Sequence, residues 1–159
     1  MTRGTILAML VTLALSVERA GLVTAQSIPN VLERELPDVT WSSERMIADV
    51  NCDGRPDRVF TGRDADHYYV AVVIAGETPP RISYVVFLLR GGSQDAFCGA
   101  PNTLRTERLD YDIREMLGGV PEGFERSTRC LGLHLVAGEC DSFHLFWNHA
   151  ANKLDWWRL

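Results

Sequence analysis

The sequence predicts a mainly β (α+β) chain: an antiparallel sheet or small sandwich with one or two short helices, stapled by disulfides. Three observations predict it. "HYYVAVVIAG" and "RISYVVFLLR" are dense in β-branched and aromatic residues, and the breaker "GETPP" separates them. The last third alternates apolar runs with turn signals, as "LGLHLV", "AGECD", "SFHLFWN", "HAAN" and "KLDWWRL". Four cysteines, Cys52, Cys98, Cys130 and Cys140, make an even count.

The chain opens with Arg3 and an apolar run from Thr5 to Val17, then "VTA" at residues 23–25 before Gln26. A short basic start, a short apolar stretch and small residues before a cut are the parts of a secretory signal. The expected organisation is therefore a signal peptide over 1–25 and a single β-rich domain over 26–159, secreted or periplasmic. The apolar run is short for a membrane span, and no transmembrane segment is expected after cleavage. Without Arg3, Arg19 and Glu18 the remainder carries 14 basic and 20 acidic residues. That balance argues against nucleic acid as a partner and suits a protein that binds a cation.

"SIPNVLERELP" is predicted to be a short helix. Ser27 caps it, Pro29 sits in the first turn, and Ile28, Val31, Leu32 and Leu36 share a face until Pro37 ends it. "VTW" and "RMIADV" are two short strands, and "DRVFTG" is a third after an acidic loop. "RDAD" at residues 63–66 is the turn into "HYYVAVVIAG". "GGSQDAFCGAPN" is a loop, "TLRTERLDY" a strand, and "YDIREMLGG" a helix stopped by Gly118 and Gly119. The hairpins of the last third follow.

An even cysteine count behind a signal peptide reads as two disulfides in an oxidising compartment. The spacings do not match paired zinc knuckles. A turn near Gly138 sends Cys130 and Cys140 several residues apart along facing strands, at about 3.3 Å per residue. That exceeds the usual Cα separation of a bridge. Cys130 and Cys140 are each expected to pair with Cys52 or Cys98.

The chemistry concentrates in "ADVNCDGRPDRVF". Asp49, Asn51, Asp53 and Asp57 bring oxygen side chains at alternating offsets, and Gly54 permits a sharp turn. Arg55 would contribute its backbone carbonyl. Calcium is a hard cation that takes six to eight oxygens in a flexible shell, which fits this set better than magnesium. The twelfth position is Phe60 rather than the glutamate of an EF-hand, and the flanks read as strands. The stretch resembles the strand–loop–strand calcium loops of FG-GAP and VCBS-type repeats, in which "DxNxDGxxD" precedes a hydrophobic strand. The resemblance covers about a dozen residues in one copy, so it implies an ion site and no propeller. With its "WNHxxxKLDWWR" ending the chain also resembles small secreted bacterial proteins, which implies no activity.

Other constellations are thinner. His134 and His144 are expected to face each other across a hairpin, where they are ordinary strand residues or, with an Asp, zinc ligands. His67 opens a strand, and His149 lies in a hairpin turn. No G-x-S-x-G occurs, and no residue is named as catalytic. Trp156 and Trp157 are adjacent, so in a strand they point to opposite faces. One packs with Phe143, Leu145 and Trp147. The other needs a helix, a second sheet or a ligand over it: both tryptophans are buried in a two-sided sheet, the favoured reading, or an exposed one beside Arg158 makes a platform for a sugar or a partner protein. The combined expectation is a non-enzymatic, calcium-stabilised binding module whose partner is a protein or an envelope glycan, inhibitor-like or immunity-like by analogy. A small secreted hydrolase with a structural calcium and a structural envelope protein are the alternatives.

Overall fold

The computed structural model describes residues 27–159. The signal-peptide expectation lies outside them. The elements run α1 (Ser27–Glu35), β1 (Thr40–Ala48), β2 (Asp57–Arg63), β3 (His67–Val73), β4 (Ile82–Leu88), β5 (Pro101–Leu109), α2 (Ile113–Leu117), β6 (Ser127–Ala137), β7 (Phe143–Asn148) and β8 (Lys153–Trp157). They form two four-stranded antiparallel sheets, ordered β1-β2-β3-β4 and β5-β6-β7-β8. Each sheet is a meander in which neighbours in space are neighbours in sequence. Among the described residues no helix is long and apolar enough to cross a membrane.

The inner faces meet in one core. Sheet 1 contributes Val59, Val70, Val72 and Phe87, and sheet 2 contributes Leu133, Leu135, Phe143, Leu145 and Leu154. Phe87 and Phe143 touch at a ring separation of 4.4 Å, and Phe97 from the β4–β5 connection packs against both. Fully burying such a side chain contributes about 1.5–3 kcal/mol.

The outer faces explain why β3 and β7 read as continuous apolar runs rather than alternating ones. Leu32 of α1 covers Phe60, Ala71 and Val73 on the outside of sheet 1. Ile113 of α2 joins Leu109, Phe146 and Trp157 on the outside of sheet 2, with Tyr111 and Phe124 beside them. A strand buried on both faces has no polar face to alternate with. The Asp112 side chain accepts from the Arg114 amide at the start of α2, and Gly118 ends it by donating to the Arg114 carbonyl at 2.9 Å.

The two strands expected at "VTW" and "RMIADV" are one strand with an irregularity. Trp41 pairs with Gly62 and Arg45 with Phe60, so residues 42–44 bulge opposite Thr61. Such a bulge locally disrupts the ladder and bends the strand. The "RDAD" turn is built on Asp64, whose Oδ1 accepts from the Asp66 and His67 amides at 2.8 and 2.7 Å. Its Oδ2 accepts from the Tyr69 hydroxyl at 2.7 Å. The Tyr69 bond, then the amide bonds, hold the Asp64 carboxyl well below the ordinary value of 3.8. A carboxyl depressed on folding contributes stability that is full above its unfolded value and fades as pH falls below it. Stability is therefore expected to drop as pH falls below 3.8, and Asp64→Asn should flatten that part of a urea-midpoint against pH profile. An unchanged acid limb in the variant would refute this.

Candidate functional site

Ala48 and Asp57 are the last ladder pair of β1 and β2, so residues 49–56 connect two antiparallel strands. This is the strand–loop–strand setting expected from the sequence. Cys52 and Gly54 both take positive φ, 66° and 84°. Gly54 does so at no cost, whereas Cys52 carries a Cβ in the left-handed region.

The loop's side chains are threaded through its own backbone. Asp49 Oδ2 accepts from the Gly54 amide at 3.0 Å. Asn51 Oδ1 accepts from the Asp53 amide at 3.1 Å, and its Nδ2 donates to Asp53 Oδ2 at 3.1 Å. Asp53 Oδ1 accepts from the Arg55 amide at 2.8 Å. The Arg55 side chain leaves the loop and lies against Gly76. Asp57 sits beneath, fully buried. Its Oδ2 accepts from the amides of Val50 at 3.1 Å and Asn51 at 3.4 Å, and its Oδ1 from Ala75 at 2.9 Å. Burial pushes the Asp57 carboxyl above its ordinary value, against the lowering pull of those amides, and the Asp53 charge adds to the rise.

One oxygen has no place in this network. Asp49 Oδ1 is buried and has no hydrogen-bond partner. A buried carboxylate oxygen without a donor is costly, and a bound cation is one way to satisfy it. Among the described residues no three His, Cys, Asp or Glu side chains already converge as a metal cage. Asn51 and Asp53 meet side chain to side chain, Asp49 closes on the Gly54 amide, and Asp57 is committed to the amides below.

The disulfides are Cys52–Cys130 and Cys98–Cys140, with Cα separations of 4.9 and 5.8 Å. Each of Cys130 and Cys140 therefore pairs with one of the two distant cysteines, as the hairpin argument required. Cys52 carries the acidic loop of sheet 1 onto β6 of sheet 2, and the Leu131 amide donates to the Asp49 carbonyl at 3.0 Å beside it. His149 Nε2 lies 3.5 Å from Cys52 Sγ.

The C-terminal aromatics decide between the two readings of Trp156 and Trp157 in favour of burial on both faces. Trp156 faces the core, edge-on to Phe87 and Phe143 at 5.6 and 5.3 Å. Trp157 points to the outer face, stacks on His144 at 4.1 Å and is only 5% exposed. The Arg158 guanidinium lies 4.7 Å from the Phe143 ring centre, and its Nη1 donates to the carbonyls of Gln94 and Ala96 at 3.2 and 2.9 Å. Trp156, Trp157 and Arg158 are thus a packed corner rather than an open platform. The physical reason is α2 with its flanking segment, which covers the outer face at Trp157.

His134 and His144 do face each other in register, with ring centres 4.9 Å apart. Their neighbours are Glu107 and Arg105 rather than an Asp. Glu107 Oε2 lies 2.9 Å from His144 Nδ1, and Arg105 Nε donates to His134 Nδ1 at 3.2 Å. Glu107 reaches across β6 over Gly132, where a Cβ would fall 2.6 Å from Leu109. Burial, then the neighbouring His144, lowers the His134 pKa. Sequence reasoning missed Glu107 and Arg105. The alternation of "TLRTERL" put both on one face, but their partners depended on the β5–β6 register.

Comparison with protein-family models, curated proteins and solved structures finds no match.

Proposed function

We propose that the chain is an extracytoplasmic binding module, secreted or periplasmic, in which a calcium ion held by the Asp49–Asp57 loop clamps one sheet of a disulfide-stapled sandwich to the other. The observation that carries the clamp is the partnerless, buried Asp49 Oδ1 inside a loop with FG-GAP/VCBS-like spacing. Calcium would draw on Asp49, Asn51, Asp53 and the Arg55 carbonyl, with Asp57 beneath. It supplies positive charge to a cluster of like-charged carboxylates, and the loop's own residues supply the oxygens. Two disulfides fit an oxidising compartment. The partner in this reading is a protein or an envelope glycan.

Calorimetric unfolding with calcium and with chelator tests the clamp. At about a hundred times the dissociation constant a site present only in the native state adds about 2.7 kcal/mol. For a chain of this size that raises the midpoint by roughly 10 °C. Asp49→Ala should abolish the shift while leaving the far-ultraviolet spectrum unchanged. Equal midpoints in calcium and chelator for the wild-type protein would sink the clamp.

A further inference from the structure

The two sheets are fastened to each other along one side. There the Leu154 amide of β8 donates to Ser83 Oγ of β4 at 2.7 Å, and Arg81 Nη1 donates to the Asn152 carbonyl at 3.2 Å. On the opposite side β1 and β5 are both edge strands. A cleft of about 390 Å³ opens between them, with Met46, Val59 and Tyr68 on one wall and Pro101, Thr103 and Leu104 on the other. Pro101 also borders a second hollow of about 560 Å³, which Leu89 and Phe97 line together with Arg63 and Arg90.

Charge and backbone both point to an occupant. Arg45, Arg63 and Arg90 border the two hollows, against Glu44 alone of opposite sign. Among the described residues none of these three arginines pairs with a carboxylate. The full chain carries a net charge of −5, and the lining of these two hollows, three arginines against one glutamate, runs against that sign. Guanidinium groups hold carboxylates through paired, charge-assisted hydrogen bonds. The neighbouring β5 edge is regular from Thr103 to Arg108, whereas β1 is interrupted by its bulge. An unpaired regular edge is a template for an added strand, and a bulge discourages one.

We propose that the β1–β5 cleft docks an extended acidic segment of a partner protein, added as a strand along β5 from Thr103 to Arg108, with its carboxylates held by Arg63 and Arg90. The inference rests on the binding-module reading and names the class of partner. Alternate side chains of such a segment would face Met46 and Leu104, and its acidic end would meet the arginines.

A fluorescein-labelled octapeptide that alternates serine and valine and ends in two glutamates is the probe, read by anisotropy at low salt. It is expected to bind, and Arg63→Ala with Arg90→Ala should weaken it at least about tenfold. Both arginines are exposed, and an unchanged urea midpoint verifies that the variant folds. The same peptide ending in two lysines, or N-methylated at alternate residues, should fail to bind. Amide shifts on binding should concentrate at Thr103–Arg108. The proposal is overturned by no binding at about 1 mM, by equal binding of the lysine peptide, or by an unaffected arginine variant. Binding of an oligogalacturonate at the same amides in place of the peptide also overturns it, while leaving a binding module standing. Calcium-dependent melting is scored separately, so failure of the clamp and failure of the groove are distinguishable.

Discussion

Asp57→Ala is expected to destabilise the protein by about 3–5 kcal/mol, a large part of the total for a domain of this size. The carboxylate is fully buried and gathers three backbone amides from two separate segments, Val50 and Asn51 in the acidic loop and Ala75 after β3. Alanine would leave those donors without an acceptor in a place where water has little access. Each unsatisfied buried donor costs about 1–3 kcal/mol, and the costs overlap where a water enters the gap. Asp57→Asn keeps one acceptor oxygen and should fall between wild type and alanine. Urea unfolding in chelator isolates this effect from any bound ion. A loss below about 1 kcal/mol for the alanine variant would mean that the amides find other partners.

Removing the Cys52–Cys130 bridge as Cys52→Ala with Cys130→Ala is expected to cost about 4.5 kcal/mol. The two residues are 78 apart in sequence, and loop-closure entropy for a ring of that size gives this magnitude. The Cys98–Cys140 bridge, with a separation of 42, differs from it by only about 0.5 kcal/mol on the same argument. Position separates them more than loop length does. Cys52–Cys130 holds the acidic loop against β6, so its loss should also shrink the calcium-dependent rise in melting midpoint. Cys98–Cys140 ties the β4–β5 connection to the β6–β7 turn, and its loss should leave that rise intact. Calorimetry of the two double variants in calcium and in chelator makes the comparison. Equal calcium shifts in both would remove the link between staple and loop.

The sequence made the strands legible where β-branched and aromatic residues are dense or where turns are strong. β3, β4 and β7 lie within the stretches "HYYVAVVIAG", "RISYVVFLLR" and "SFHLFWN" that the sequence marked as strands. The β1 bulge was not legible, because three residues facing one is a property of the β1–β2 register, which local pattern does not carry. The fate of Trp157 was half legible. Its opposition to Trp156 follows from strand geometry, but only the docking of Ile113 and its neighbours decides that a helix, rather than a ligand, covers it. The acidic loop was legible as a turn with oxygen side chains at regular offsets. The burial of Asp57 under Ala75 was not, since Ala75 arrives from the far end of β3. The groove between β1 and β5 was invisible for the same reason: Arg63, Arg90 and Pro101 meet only when two sheets are stacked.

The pairing of Cys52 with Cys130 also bears on the order of assembly as the chain is made. Each meander is complete within its own half of the sequence, so sheet 1 exists as a contiguous stretch before any residue of β6 has been synthesised. At that moment the nearest thiol available to Cys52 is Cys98, which precedes Cys130 by about thirty residues. The inner face carrying Val59, Val70 and Phe87 has nothing yet to lie against. Vectorial synthesis thus offers the wrong sulfur first and leaves an oily surface waiting. The Cys52–Cys130 link joins the loop of the first meander to β6 of the second, so in the folded protein it is a record that the two halves have met.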